Sequence, residues 1–248
     1  MRTLLAAVSM LSVVPLGNFR PTEDELRRSQ NLFPVVGALF GALFYGIAWI
    51  LAAYCPPLPA AMLLALLPEA LTKGLHLDGL ADTADGFLSG RSRERKLEIM
   101  RDSRTGTMGV AAVFALLGMK FALFASLPAA LLPAAAGMMM LGGRSGAVFH
   151  IAFSRYARPD GLGAIWFRSR PAAGFVLALL LPSLAGWMFF GIPGTFAGLA
   201  LLGFAFSWSR ITARVIGGAT GDTIGCCEEL CELLVLVLVL ALAVAAAR

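Results

Sequence analysis

Residues 33–54 read FPVVGALFGALFYGIAWILAAY, 22 residues without one charged side chain. A helix rises about 1.5 Å per residue, so this stretch is roughly 33 Å long, enough to cross the hydrocarbon of a bilayer. Only a helix satisfies all of its backbone N–H and C=O groups within one segment, so lipid selects it here. Further apolar runs lie near 59–77, 107–127, 130–153, 172–190, 194–216 and 230–247. They predict an all-α, polytopic transmembrane helical bundle of about seven spans. With no linker or internal repeat to divide it, residues 1–248 form a single integral-membrane domain. The breaks carry turn residues: CPPLP at 55–59, Pro128 and Pro133, and GIPG at 191–194. Pro182 falls inside the fifth run, where it predicts a kink.

Composition agrees. Hydrophobic residues make up 58% of the 248 and charged residues 14%, against about 25% charged in a typical soluble domain. The formal charge of +5 does not indicate nucleic acid, because no basic patch is interleaved with aromatics. Cys55, Cys226, Cys227 and Cys231 have no paired zinc spacing and are read as free thiols. The start, MRTLLAAVSMLSVVPLG, has one basic residue and a short apolar run but no clear small-x-small cleavage site. It predicts a retained helix of half length, or one lying in the interface.

Charge on the connections gives the orientation. YCPPLP, SLPAALLP and FFGIPG contain no Lys or Arg, whereas the segments around Arg20–Arg28, Arg91–Arg104, Arg155–Arg170 and Arg210–Arg214 hold most of them. Seven spans with a cytoplasmic N-terminus produce this alternation. The polar segments then share the cytoplasmic side, and a site built from them opens there.

One of those segments is HLDGLADTADG, residues 76–86. Asp78, Asp82 and Asp85 stand at i, i+4 and i+7, one stripe of a helix. Like charges at that spacing repel, and in lipid three would cost roughly 8–10 kcal/mol on an insertion scale. A divalent cation offsets that cost, and oxygen-only donors suit Mg²⁺ or Mn²⁺. The basic run RSRERKLEIM follows, then RDSRTGTMG with Arg101, Asp102 and Arg104 ahead of a helix start. Arginine forks and free N–H groups at a helix N-terminus suit phosphate oxygens. Acids for metal beside arginines for phosphate are the parts of a phosphoryl-transfer site.

A second acidic group, TGDTIGCCEELCE, places Asp222 in a glycine-rich turn and Glu229 and Glu232 at the start of the last span. These acids could complete the metal site or serve as a base for an attacking hydroxyl. His76 reads as a base or a polar helix end, and His150 as an interior hydrogen-bonding group. Arg144, inside an apolar run, calls for an acid or a substrate phosphate as partner.

HLDGLADTADG followed by RSRERKLEIMRDSRTGTMG, together with GGATGDTIG and its ExxE, resembles the cobalamin synthase family. RRSQNLFPVVG near the start and RYARPDGLG in the middle extend the resemblance nearly end to end. Members of that family are adenosylcobinamide-GDP ribazoletransferases, Mg²⁺-dependent enzymes of the bacterial inner membrane. The resemblance implies that a hydroxyl of α-ribazole, or of its 5′-phosphate, attacks the phosphorus attached to cobinamide and that GMP leaves. It implies Asp78, Asp82 and Asp85 as metal ligands, Arg101, Asp102 and Arg104 at the phosphates with Arg28 as a further candidate, and Asp222, Glu229 and Glu232 as the second catalytic group. The partners implied are adenosylcobinamide-GDP, α-ribazole and the bilayer, not nucleic acid. Other enzymes of B12 synthesis and a second copy of the chain are further candidates. Two rival readings remain, a CDP-alcohol phosphotransferase and a cation transporter. Asp82 stands where the first would place an arginine, and the second would set its acids near the midplane.

Overall fold

The computed structural model describes residues 1–246, so the last residue of the run expected at 230–247 lies outside the described residues. Among the described residues there are eleven α-helices and no strand beyond an isolated bridge between Tyr156 and Ala219. They are α1 (Arg2–Leu11), α2 (Glu23–Ser29), α3 (Phe33–Tyr54), α4 (Pro57–Thr72), α5 (Leu75–Leu88) and α6 (Arg93–Ile99), then α7 (Thr107–Ser126), α8 (Leu132–Phe153), α9 (Ala172–Gly194), α10 (Ala197–Ile216) and α11 (Gly221–Ala246). Five stretches, ending with α3, α7, α9, α10 and α11, are long and apolar enough to cross a membrane, and the bent pair α4–α5 makes a sixth when taken together as one broken span.

α8 is as long as α3 but carries Arg144, His150 and four glycines. It sits at the centre, with α3, α9, α10 and α11 packed around it. Almost every residue from Leu132 to Ile151 is buried, so its polar groups meet protein rather than lipid. Close approach of α3 depends on missing side chains: a Cβ on Gly41 would lie 2.6 Å from the Gly137 carbonyl oxygen. Small residues at such crossings are how helices associate where lipid offers no hydrophobic drive.

Three boundaries differ from the sequence reading. The run at 59–77 is not one helix. Its 16-residue first part, α4, is about 24 Å long and short for a crossing. Lys73 and Gly74 both take left-handed φ, 55° and 65°, and the chain turns by 93° into α5. The last helix begins at Gly221 rather than 230, because Thr220 and Thr223 cap each other (2.9 and 3.3 Å) and Asp222 occupies the first turn. Asp222 is therefore helical, not part of a loose turn. The fifth span runs helically through Pro182, and its break falls at Gly191, where φ is 63°.

α1 is ten residues long, half a crossing, and Arg2 ties it to α2 through Glu25 (2.5 Å). α2 opens with a capping box in which Thr22 and Glu25 satisfy each other's backbone N–H groups.

Candidate functional site

The three aspartates of α5 are not equivalent. Asp85 accepts hydrogen bonds from the backbone N–H of Gly106 (2.6 Å) and Gly109 (2.8 Å), one on each oxygen. It thus caps the start of α7, where an acid meets unpaired N–H groups and the positive end of the helix dipole. The N–H groups of Gly106 and Gly109, expected to hold phosphate, are thus engaged by one of the three aspartates.

Asp78 and Asp82 have no ion pair or hydrogen-bonding side-chain partner among the described residues. Asp78 is exposed and Asp82 half-buried. Asp82 lies within electrostatic reach of Asp78, Asp222, Arg158 and Asp85. Asp222 arrives on α11 because α5 offers it no obstruction: a Cβ on Gly79 would sit 2.7 Å from the Asp222 carbonyl oxygen. Arg158 donates to the Asp222 carboxylate at 2.8 Å, and Thr220 does so at 3.2 Å. Arg158 comes from the loop after α8 and also reaches the Met100 carbonyl (3.4 Å), tying that loop to the end of α6. The result is three carboxylates facing one arginine.

Two cavities meet this group. One of about 270 Å³ is lined by Asp78, Arg158 and Asp222 together with Phe33, Trp166 and Ile224. The other, about 1190 Å³, is mostly apolar and lies between α1, α4, α5 and α7, with Asp78 and Thr105 on its wall and Phe114 and Phe121 farther along α7.

The remaining expected phosphate ligands are at the surface with acids as partners. Arg104 forks onto Asp102 (3.0 and 2.7 Å), and its hydrogen bonds hold the Asp102 carboxyl well below the usual range, at about 2. Arg101 pairs with Asp160, two residues beyond Arg158. Arg28 stays on α2, held by Asp24 at 2.8 Å, and is not joined to the aspartates.

Glu229 and Glu232 are elsewhere. Glu229 lies seven residues, or about 10 Å of helix, beyond Asp222 on α11. Lys120 of α7, fully buried, donates to Glu229 (2.6 Å), Glu232 (2.7 Å) and Glu69 of α4 (3.1 Å). Arg144, also buried, pairs with Glu228 (2.8 Å) and Glu232, and His76 Nε2 is 3.1 Å from Glu228. Among the described residues, Glu69, Glu229 and Glu232 are the one trio of acids that can each bring one oxygen within 4.8 Å of the others, yet the Lys120 ammonium already sits among them. The structure therefore gives Glu229 and Glu232 a charge-pairing role in place of the expected place beside the aspartates, because a buried carboxylate takes the nearest cation.

Sequence reading overlooked Lys120, Glu69 and Arg158. A lysine inside FALLGMKFALF carries the same warning as Arg144, since an ionised group in an apolar run needs a partner. Arg158 gave no such signal, being one arginine among several in a polar loop. Arg144 does pair with acids, His150 does hydrogen-bond internally (Ser209, 2.8 Å; Thr223, 3.2 Å), and the four cysteines are free.

The sequence profile described as cobalamin-5-phosphate synthase matches residues 3–241. The chain is 38% identical over 238 residues to an adenosylcobinamide-GDP ribazoletransferase of Desulforamulus reducens, covering 94% of each chain. It is 39% identical over 247 residues to that of Pseudomonas paraeruginosa, covering 95% of this chain and 96% of the relative. Against the Klebsiella pneumoniae protein of the same name the figure is 36% over 243 residues, covering 94% and 97%. No solved structure matches.

Proposed function

The chain belongs to the cobalamin-5-phosphate synthase family, and from that premise we infer that it is an adenosylcobinamide-GDP ribazoletransferase catalysing the nucleotide-loop step of cobalamin synthesis. A ribose hydroxyl oxygen of α-ribazole, or of its 5′-phosphate, forms a bond to the phosphorus attached to cobinamide. The P–O bond to GMP breaks, GMP leaves with the electron pair, and the hydroxyl proton is released. The products are adenosylcobalamin, or its phosphate, and GMP.

One observation carries the reading. Asp78 is an unpartnered carboxylate on the wall of both cavities, and Asp82, one turn along α5 and likewise without an ion-pair partner among the described residues, lies within electrostatic reach of Asp222 and Arg158. An uncompensated acid group in an apolar bundle suits a cationic or cation-bridged ligand. Its donors are all oxygens, which fits Mg²⁺, and Asp78, Asp82 and Asp222 would hold it. Bound there, Mg²⁺ supplies charge neutralisation for the pyrophosphate. Arg158 holds Asp222 in place and presents its remaining N–H groups to the site. Arg101 and Arg104 offer charge to the guanosine diphosphate at the rim, where solvent lets them exchange their acid partners for phosphate. Asp85 fixes the α7 end against α5 and keeps that rim in register.

The Lys- and Arg-rich connections favour the cytoplasmic face of a bacterial inner membrane for this site. The test is GMP release from adenosylcobinamide-GDP by the purified protein in nanodiscs. Release that requires both α-ribazole and Mg²⁺ supports the assignment; release independent of α-ribazole, or none from folded protein, removes it.

A further inference from the structure

We propose that the 270 Å³ pocket between α5, α11 and the loop after α8 seats the bicyclic aromatic base of the acceptor nucleoside, and that its polar side receives the ribose. The inference rests on the transferase reading above and goes on to say where the acceptor sits and what selects its base.

Size is the first argument. Ligand pockets generally run from about 300 to 1,000 Å³, and 270 Å³, just under that range, suits only a compact ligand such as a nucleoside. A corrin macrocycle with its amide side chains does not fit there, and adenosylcobinamide-GDP must approach the aspartates from another side.

Polarity is the second. Phe33, Trp166 and Ile224 line the pocket together with Asp78, Arg158 and Asp222, and His76, Tyr156 and Glu228 are polar lining besides. A ribosylated benzimidazole combines the same two characters, with an apolar flat base at one end and hydroxyls at the other. Seated with its base against the apolar side chains, it turns the ribose toward the acids that face the pyrophosphate.

Rigidity is the third. Trp166 and Phe33 meet edge to face, centroids 5.4 Å apart at 81°. Trp166 Nε1 donates to the Leu26 carbonyl at 3.1 Å, so the indole is fixed and its one donor is used. Phe33, Trp166 and Ile224 therefore offer shape and no hydrogen bond to a base packed against them. They favour a base with hydrocarbon edges over a purine, whose ring nitrogens would be buried against them without partners.

The experiment measures equilibrium binding of α-ribazole, by benzimidazole fluorescence, to the full chain in nanodiscs. Ile224→Phe fills the apolar side and should raise the Kd for α-ribazole at least about tenfold while leaving the KM for adenosylcobinamide-GDP within about twofold. On the wild type, the riboside lacking the two base methyl groups should bind about tenfold more weakly, and the adenine riboside more weakly still. An unchanged Kd in Ile224→Phe, or a parallel loss for both substrates, overturns the proposal. If Ile224→Phe does not fold, the wild-type series decides: equal binding of the methylated and unmethylated bases overturns it. Binding does not require turnover, so failure of GMP release in the wild type strikes the reaction assignment and leaves the pocket to be judged on its own measurements.

Discussion

Replacing Lys120 with Met should destabilise the bundle far more than the loss of one side chain suggests. Lys120 is fully buried and, among the described residues, is the only cation within ion-pair distance of Glu69 and Glu229. Arg144 remains with Glu228 and Glu232, so the variant keeps three buried carboxylates and the partly buried Glu69 against one cation in place of two. Removing one partner of a buried pair costs about 3–5 kcal/mol, because the charge left behind is uncompensated. At about 2–4 °C per kcal/mol for a chain of this size, the midpoint should fall by roughly 6–20 °C. The assay uses the protein's own thiols: Cys226, Cys227 and Cys231 are buried, so a thiol-reactive fluorophore reports unfolding in detergent once Cys55 is replaced by Ser. Lys120→Met combined with Glu229→Gln removes one of the stranded charges and should recover at least about half of the loss, a coupling that independent sites would not show. A single variant within about 2 °C of the wild type, or a double variant that simply adds two losses, would refute the argument that charge pairing holds α4, α7 and α11 together.

The site itself yields further expectations. Asp78→Asn and Asp82→Asn should each lower GMP release by roughly 10³-fold, equivalent to several kcal/mol of lost charge stabilisation, with an unfolding midpoint near wild type; activity within a few-fold of wild type in either would remove that residue from the site. Asp85→Asn should behave oppositely: it weakens the α7 cap by about 1–2 kcal/mol in thermal unfolding, while half-saturation by Mg²⁺ stays unchanged. Gly79→Ala places a Cβ 2.7 Å from the Asp222 carbonyl oxygen, so it should cost about 1–3 kcal/mol of stability and reduce kcat by displacing α11. Chelation should abolish release and added Mg²⁺ or Mn²⁺ should restore it, checked by titrating EDTA-treated protein; release that survives chelation rejects the metal assignment.

Much of the fold was legible because lipid leaves few alternatives. The run from Phe33 to Tyr54 has no charge to place and no partner strand to satisfy its backbone, so its length alone made it a crossing helix. The 93° turn at Lys73–Gly74 was hidden by the same logic. An apolar run continues through it, and nothing in LTKGLHL marks a non-glycine residue with left-handed φ. The early start of α11 was signalled by Thr220 and Thr223, which read equally well as loop residues until their mutual capping was seen. For the site, the spacing of Asp78, Asp82 and Asp85 fixed which residues share a face but could not say which meets a backbone N–H and which meets nothing. That difference depends on where α7 begins in space, 21 residues after Asp85.

The acids divide by partner rather than by sequence position, and this gives the bundle its working plan. Glu229 and Glu232 follow Asp222 by only two to three turns on one helix, yet they face Lys120 and Arg144 from α7 and α8. Those pairs fix the rotation of α11 about its axis, since turning it by one residue, about 100°, would expose charge to apolar surroundings. With α11 so fixed, Asp222 must face α5, and Gly79 lets it approach. Among the described residues Asp78 and Asp82 then make no ion pair of their own and share with Asp222 the single nearby Arg158, although Arg144 and Lys120 show that the sequence can supply buried cations where architecture requires them. The same cost of charge in an apolar medium therefore does two things along one helix. Where the chain supplies the counter-charge it sets the register of the bundle, and where the chain withholds it the bundle is prepared for a ligand that brings its own.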